Sequence, residues 1–233
     1  MDPMERTLLL RNLAEIIFRI KSDHPLRVAI DGVDAAGKSI LANQLAEIMQ
    51  NGNRHIIRAS VDNFHNPQHI RRKRGDLSPQ GFYQDSFNES ALIEVLLTPF
   101  GPNGDRCYRT AVFDLQHDQP VERPWETAPQ DAILVMDGIF LLRPSLMPYW
   151  DLTIYLDVDF ANSMARGIQR DAAFYGSFEE AERRYRQRYV PGQQLYQEAA
   201  QPLDKADILI DNNDLEAPEF IRVPPHLLSG EGL

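Results

Sequence analysis

A glycine-rich segment at residues 32–39 has the residue types and spacing that bind phosphate. It begins at Gly32, ends at Lys38 and Ser39, and follows the apolar run 28–30. In a loop of this pattern the backbone N–H groups surround a phosphate chain, the lysine contacts the outer phosphates, and the serine hydroxyl binds Mg²⁺. A tight turn without a ligand is the alternative. The residues expected to contact a bound nucleotide here are Gly32, Asp34, Ala35, Ala36, Gly37, Lys38, Ser39 and Ile40.

An aspartate at the end of another apolar run could complete a metal site. The run 133–136 is followed by Asp137 and Gly138. A carboxylate in this position can hold Mg²⁺ together with Ser39, directly or through water. An aspartate that caps the turn before Gly138 is the alternative.

A further carboxylate, Asp62, follows the predicted second strand. Because the carboxyl ends of parallel strands meet at one edge of a sheet, Asp62 should lie near the phosphate loop. There it could accept the proton of a hydroxyl that attacks the terminal phosphate. His65 could contact the same substrate. For each of these residues, a purely local role in the loop is the alternative.

Two arginines could stabilise the negative charge of a transferred phosphate. Arg166 and Arg170 are four residues apart in a predicted helix, so they share a face on which like charges repel. Phosphate oxygens at that face would attract both guanidinium groups and offset their mutual repulsion. A helix face with both arginines exposed to solvent is the alternative. The basic runs 71–74 and 183–188 are compatible with anion binding or with a solvated surface. The residues expected to be catalytic are Lys38, Asp62 and Arg170.

The elements that must position these residues alternate between apolar strands and amphipathic helices. The predicted strands are mostly continuously apolar, which is typical of a parallel sheet covered on both faces. The alternation predicts an α/β fold with a doubly wound, parallel, five-stranded sheet flanked by helices. The strands are predicted at 27–31, 55–60, 132–137, 152–157 and 207–211, and the helices at 38–50, 90–97, 160–173, 177–189 and 193–200.

Residues 1–233 are predicted to form a single domain with additions. Residues 1–24 should form an amphipathic helix packed on the domain rather than a targeting segment. Two segments that break the pattern are expected to cover the substrate, since ligands bind beyond the carboxyl ends of the strands. These are 62–89 and 99–131, the second with a small hairpin that includes the strand-like run 108–114. The Pro- and Gly-rich segment 213–233 should be a loosely packed tail.

Composition limits the classes of partner. The chain has 233 residues, a formal net charge of −10, 43% hydrophobic residues and a single cysteine, Cys107. An acidic chain is a poor candidate for binding nucleic acid or an anionic membrane, so a small-molecule substrate is expected. The single cysteine excludes an internal disulfide and fits a cytoplasmic location. Association into a homo-oligomer stays open.

Together these motifs resemble the uridine kinase branch of the P-loop kinases, which also includes phosphoribulokinase and pantothenate kinase. The resemblance covers about residues 27–212, and its elements are Asp62-Asn63-Phe64-His65, Asp137-Gly138, and Arg166 and Arg170 followed by Asp171. It implies ATP and Mg²⁺ as cofactors, Asp62 as the base on the acceptor side, and a helical lid at 160–190. It also implies a small-molecule hydroxyl as acceptor, with the 5′-hydroxyl of uridine or cytidine as the leading example. The substrate residues it implies are Asp62, Phe64, His65, Phe113 and His117, and it adds Arg166 to the residues that contact the nucleotide.

The sequence also departs from that family. Phe113 stands where pyrimidine kinases carry a base-reading tyrosine, and the spacing from it to His117 is one residue short. Asp137 stands where those enzymes usually carry glutamate. Two alternatives stay open: a kinase of another small hydroxyl compound or nucleotide, with a loop similar to that of thymidylate kinases, and a nucleotide-binding regulator with little turnover. A guanine-specific switch is disfavoured, because the chain has no Asn-Lys pair.

Overall fold

The central sheet has six strands in the part of the chain that the computed structural model describes, residues 4–228. Four further short strands lie outside this sheet. In chain order all the strands are β1 (Leu26–Gly32), β2 (Ile56–Ser60), β3 (Cys107–Tyr108), β4 (Phe113–Asp114), β5 (Gln119–Pro120), β6 (Glu126–Thr127), β7 (Ile133–Asp137), β8 (Leu152–Asp157), β9 (Ile208–Asp211) and β10 (Glu219–Arg222). The sheet has the order β10-β9-β8-β1-β7-β2. All its pairings are parallel except that of β10 with β9.

Helices flank this sheet and build much of the covering segments. They are α1 (Met4–Arg19), α2 (Lys38–Met49), α3 (Gln68–Arg71), α4 (Pro79–Asp85), α5 (Glu89–Leu92), α6 (Phe160–Tyr175), α7 (Phe178–Arg184), α8 (Val190–Ala200), α9 (Pro202–Lys205) and α10 (Pro225–Leu228). The π-helical segment Ile93–Leu97 continues α5, and Tyr185–Tyr189 joins α7 to α8. The predicted helices are confirmed with shifted ends. The segment 62–89, which breaks the predicted alternation, contains α3 and α4.

Two apolar cores, one on each face of the sheet, hold these layers together. Successive side chains of a strand point to opposite faces, so Val28 and Ile30 belong to one core and Ala29 to the other. Leu13 of α1 is completely buried in the first core. The N-terminal helix therefore packs on the domain, as predicted. Within residues 4–228, no helix combines the length and the apolar character of a membrane span.

Strand register brings the candidate residues to one edge of the sheet. β1 lies between β7 and β8, parallel to both. Ile30 of β1 pairs with Asp137 of β7, and Ser60 of β2 pairs with the same Asp137. The loop after β1, the turn after β2 and the end of β7 therefore meet at the carboxyl edge, where open α/β sheets bind ligands.

The five predicted parallel strands are confirmed, but the prediction of a loose tail is wrong for the residues described. β10 pairs with β9 in antiparallel register, with Glu219 opposite Asp211. Phe220 packs against the same apolar core as α1, and so gives the strand an anchor. The free edge of β9 supplies the unpaired N–H and C=O groups that a further strand requires. Residues 229–233 of the predicted tail lie outside the described part of the chain.

The insert at 99–131 contains two short strand pairs instead of one hairpin. β3 pairs with β6, and β4 pairs with β5, both antiparallel. The predicted single strand is interrupted because the backbone between β3 and β4 bonds to other elements. The N–H of Arg109 donates to the carbonyl of Val95, and that of Val112 donates to the carbonyl of Asn63.

Candidate active site

The loop between β1 and α2 borders an open cleft of about 430 Å³. Gly32 must be glycine, because an added Cβ would lie 2.8 Å from the carbonyl oxygen of Leu156. Ala35 and Gly37 have positive φ angles of 53° and 88°, and Gly37 leads into α2 without a side-chain cap. The first N–H groups of α2 are thus left without a side-chain partner, which suits phosphate binding.

Most of the loop residues expected to contact a nucleotide lie on the cleft wall. Two of them do not: Gly32 and Ala36 are buried, and the wall of the cleft is formed by their neighbours. Ile40, in the first turn of α2, is exposed and lies at the cleft. The loop residues that border the cleft are Asp34, Ala35, Gly37, Lys38, Ser39 and Ile40.

Lys38 supplies a positive charge in a strongly acidic site. Its side chain is buried, and Nζ donates a 2.7 Å hydrogen bond to the carbonyl oxygen of Val33. Burial lowers the pKa of Lys38, and the carboxylates of Asp34 and Asp31 oppose this shift. A phosphate chain in the cleft would offer its ammonium a charged partner in place of a carbonyl.

Ser39 and Asp137, the predicted metal ligands, are in contact. Ser39 Oγ donates to Asp137 Oδ2 at 2.5 Å, and Asp137 is 2% exposed. A hydroxyl and a carboxylate oxygen are hard donors that suit Mg²⁺. Within residues 4–228, no group of three or more His, Cys, Asp or Glu side chains could enclose a metal ion. The donor set therefore fits Mg²⁺ that completes its coordination with phosphate oxygens and water.

Asp62 lies in the 3₁₀ turn Val61–Phe64 that follows β2, and it borders the cleft. Although 66% of its side chain is exposed, the pKa of its carboxyl is raised. Crowding by protein atoms, which restricts its solvation, is the main cause, and the nearby carboxylate of Asp137 adds to it, whereas His65 partly opposes it. A carboxylate with a raised pKa is a better proton acceptor at neutral pH.

The structure places Phe64 and His65 differently from the expected contact with substrate. Phe64 is completely buried, so its side chain anchors the turn in the core and has no surface for a ligand. His65 Nδ1 donates to the carbonyl oxygen of Asp62 at 2.9 Å. Its ring packs against Phe87 with 4.5 Å between centroids. Burial lowers the pKa of His65, so the neutral ring supports the turn that carries Asp62.

The two arginines of α6 border the cleft but make different contacts. Arg166 donates to the carbonyl oxygen of Asn212 at 3.1 Å. Arg170 is paired with acids: its Nε lies 2.7 Å from Asp171 Oδ1, and its Nη2 lies 3.2 Å from Asp34 Oδ1. The hydrogen bond to Asp171 and then the charge of Asp34 raise the pKa of Arg170, against the effect of burial. A carboxylate of the loop thus holds Arg170 in this structure.

Two residues that the motifs did not assign to the site, Tyr185 in the segment between α7 and α8 and Gln193 in α8, contact the phosphate loop. Tyr185 Oη donates to Asp34 Oδ2 at 2.6 Å, and the N–H of Asp34 donates to Gln193 Oε1. Burial opposes ionisation of Asp34, but the charges of Arg170 and Lys38 outweigh it, so that its pKa is lowered. Tyr185 is 151 residues from Asp34 in the sequence, so no motif spacing could have linked them.

A second cavity, of about 330 Å³, lies between Asp62 and the insert. Phe113 and Asp114 of β4 border it, together with Arg123 of the loop between β5 and β6. Phe113 therefore borders a cavity, although it is only 5% exposed, and its contact with a substrate stays a prediction. His117 is not part of the cavity wall, and its Nδ1 donates to Asp114 Oδ2 at 2.7 Å. Asp62 borders both this cavity and the phosphate cleft.

The family model described as Phosphoribulokinase / Uridine kinase family matches residues 28–211. The chain belongs to this family. The matched span begins in β1, contains the phosphate loop, Asp62, Asp137 and helices α6 to α8, and ends with β9. The chain is therefore a P-loop kinase, and the fold predicted from the sequence is confirmed.

Solved structures of kinases share the fold at low identity. A candidate uridine kinase from Bacillus stearothermophilus has a TM-score of 0.70 at 21% identity, over 90% of this chain and 99% of its own. A candidate fructose transport system kinase from Silicibacter sp. TM1040 has a TM-score of 0.69 at 22% identity, over 82% and 95%. D-glycerate 3-kinase from Cryptococcus neoformans has a TM-score of 0.61 at 11% identity, over 88% and 96%. No curated protein matches the chain.

Proposed function

We propose that this family member transfers the γ-phosphate of ATP to a hydroxyl of a small molecule in the cytoplasm, and that the acceptor is the 5′-hydroxyl of a pyrimidine nucleoside. The position of Asp62 at the junction of the two cavities carries this proposal. A base shared by both cavities can contact an acceptor hydroxyl in one while the γ-phosphate lies in the other.

Asp62 accepts the proton of the acceptor hydroxyl as the hydroxyl oxygen bonds to the γ-phosphorus. The bond from that phosphorus to the β–γ bridging oxygen breaks, and ADP leaves with the electron pair. Lys38 and the N–H groups of the phosphate loop hold the triphosphate so that the bond that breaks lies in line with the attacking oxygen. Mg²⁺, when it is bound by Ser39 and Asp137, supplies neutralisation of the phosphate charge.

The cavity beside the insert supports a nucleoside as acceptor. Its volume of about 330 Å³ is in the range of small-ligand sites. Phe113 offers apolar surface for a planar base, and Asp114 and Arg123 offer polar groups to hydroxyls and base edges. Asp62 at the cavity wall would then receive the 5′-hydroxyl.

Release of ADP from ATP and Mg²⁺ tests the proposal with a panel of acceptors. The panel contains uridine, cytidine, thymidylate, pantothenate and sugar phosphates, and one reaction has no acceptor. We expect rapid release only with the nucleosides, and a product that phosphorus NMR assigns to the 5′-oxygen. Equal release with and without acceptor would instead identify a slow nucleotide hydrolase or regulator, and release only with thymidylate would identify a nucleotide kinase.

A second candidate acceptor is an alcohol that carries a carboxylate or a phosphate. Arg123 borders the cavity between Asp62 and the insert, and it makes no hydrogen bond or ion pair within the described chain. A guanidinium without a partner can bind such an anion through two parallel hydrogen bonds. If this candidate is right, Arg123→Gln raises KM for the anionic acceptor and leaves KM for uncharged nucleosides unchanged.

A further inference from the structure

Arg58 of β2 lies against the carboxylate that would hold Mg²⁺. Its Nη2 donates to Asp137 Oδ1 at 2.7 Å, and its Nη1 donates to the carbonyl oxygens of Ala59, at 2.9 Å, and Val135. Backbone groups of two neighbouring strands therefore fix the guanidinium. The phosphate-loop motif, the predicted metal pair and the predicted base do not include Arg58.

A second element fixes the same guanidinium. Asn43 of α2, one turn after Ser39, accepts from Arg58 Nε at 3.2 Å and from Nη2 at 2.9 Å through Oδ1. Helix α2 thus carries both the Ser39 hydroxyl and a support for Arg58. The side chain of Arg58 keeps 25% of its surface exposed, so its fixed position comes from these bonds and not from burial.

The two oxygens of Asp137 have separate partners. Oδ1 accepts from Arg58, whereas Oδ2 accepts from Ser39 at 2.5 Å. The carboxylate is almost completely buried, so it cannot turn without losing a hydrogen bond that solvent does not replace. Of the two oxygens, Oδ2 is therefore the one presented to a cation beside Ser39.

We propose that Arg58 is a positioning residue for the metal site. Arg58 occupies Asp137 Oδ1 and so leaves only Oδ2 of that carboxylate for the cation. Mg²⁺ requires strict octahedral geometry and uses few carboxylates, whereas Ca²⁺ accepts both oxygens of one carboxylate. Arg58 therefore favours Mg²⁺ over Ca²⁺. This inference rests on the proposed function, because it takes Asp137 as the metal ligand.

Ion binding to the complex of the full chain with a non-hydrolysable ATP analogue tests the inference. Calorimetric titrations with Mg²⁺ and with Ca²⁺, each corrected by a titration of the analogue alone, give both dissociation constants. Arg58→Met removes a positive charge beside Asp137, so that this carboxylate draws both cations more strongly, but only Ca²⁺ uses the freed Oδ1 as a second ligand. We therefore expect the ratio of Ca²⁺ to Mg²⁺ affinity to rise by about 10- to 100-fold, the usual scale for losing a partner of a metal ligand.

Milder variants and a matched arginine keep the test decisive if Arg58→Met does not fold. Arg58→Lys and Asn43→Ala should change the ratio in the same direction by smaller factors. Arg54→Met removes an arginine that bonds to the carbonyls of Asp131 and Ile20, and it should leave the ratio unchanged.

The outcomes separate this inference from the proposed function. If the Arg58 and Asn43 variants keep the wild-type ratio and lose only thermal stability, Arg58 merely ties β2 to β7 and the inference is wrong. If the wild-type complex binds no more Mg²⁺ than the analogue alone, the assignment of Asp137 as a metal ligand fails, and the proposed function with it.

Discussion

The Tyr185 hydroxyl donates a 2.6 Å hydrogen bond to Asp34 Oδ2 and so joins the segment between α7 and α8 to the phosphate loop. Tyr185 is completely buried and packs on Gly167, where an added Cβ would lie 2.1 Å from its ring. Arg170 holds the same carboxylate. A bound phosphate chain would lie close to Asp34, so these contacts reduce the repulsion between the carboxylate and the phosphates.

Tyr185→Phe should reduce stability, because it removes the hydroxyl that contacts the carboxylates of Asp34 and Asp171 and keeps the ring packing. We expect the free energy of unfolding, measured with urea, to fall by about 1.5–3 kcal/mol. Tyr175→Phe is a matched control, since its hydroxyl bonds to the uncharged hydroxyl of Tyr189. A loss for Tyr185→Phe no larger than that of the control would contradict a stabilising contact with Asp34.

Lys38→Ala should lower turnover by orders of magnitude. The ammonium of Lys38 borders the cleft, and its removal leaves the outer phosphates of a bound nucleotide without this positive charge. Circular dichroism checks that the fold is kept, and an ADP-release assay measures kcat. The exposed Lys21, changed to alanine, should have normal kcat. Near-normal activity of Lys38→Ala would overturn the assignment of the phosphate loop.

Asp62→Asn should abolish most of kcat and leave ATP affinity almost unchanged, because the amide cannot accept the proton of the acceptor. Initial rates and nucleotide titration measure the two quantities. Asp23→Asn removes a carboxylate that is 88% exposed and should have no effect. A change confined to KM for ATP would place Asp62 on the nucleotide side of the reaction.

The pH dependence of the wild-type enzyme should reflect the raised pKa of Asp62. Only the ionised carboxylate accepts a proton, so kcat/KM should fall as pH decreases through its folded pKa. Since restricted solvation and then Asp137 raise that pKa above 3.8, the fall should begin at a higher pH than for an ordinary aspartate. A profile that stays flat down to the ordinary value would exclude Asp62 as the base.

Phe113→Tyr should change the preference among acceptors, because it adds a hydroxyl to a buried ring at the wall of the cavity between Asp62 and the insert. We expect KM values for uridine, cytidine and purine nucleosides to shift relative to one another. Phe174, which is 83% exposed on α6, provides the control substitution to tyrosine. The same acceptor profile in both variants would place base recognition elsewhere.

The candidate site could be predicted where the residues are close in sequence or where strand order follows from hydrophobicity. The phosphate loop, Ser39 and Asp137 could be found because a glycine-rich turn and a buried strand each have a local pattern. The actual contact of Ser39 with Asp137 follows from parallel pairing of β1 with β7. Phe64 was misjudged because its motif spacing does not reveal that it points into the core.

The amino-acid sequence by itself determined the family, the α/β layering and the order of the main elements, since backbone geometry and apolar periodicity act over short distances. Only the tertiary structure decided the partners of the charged groups: Tyr185 and Arg170 with Asp34, and Arg58 with Asp137. The tertiary structure also decided that β10 pairs with β9 as a sixth strand, and that Asp62 borders both cavities. These contacts join distant segments, and their choice depends on burial and on competing charges that no local pattern records.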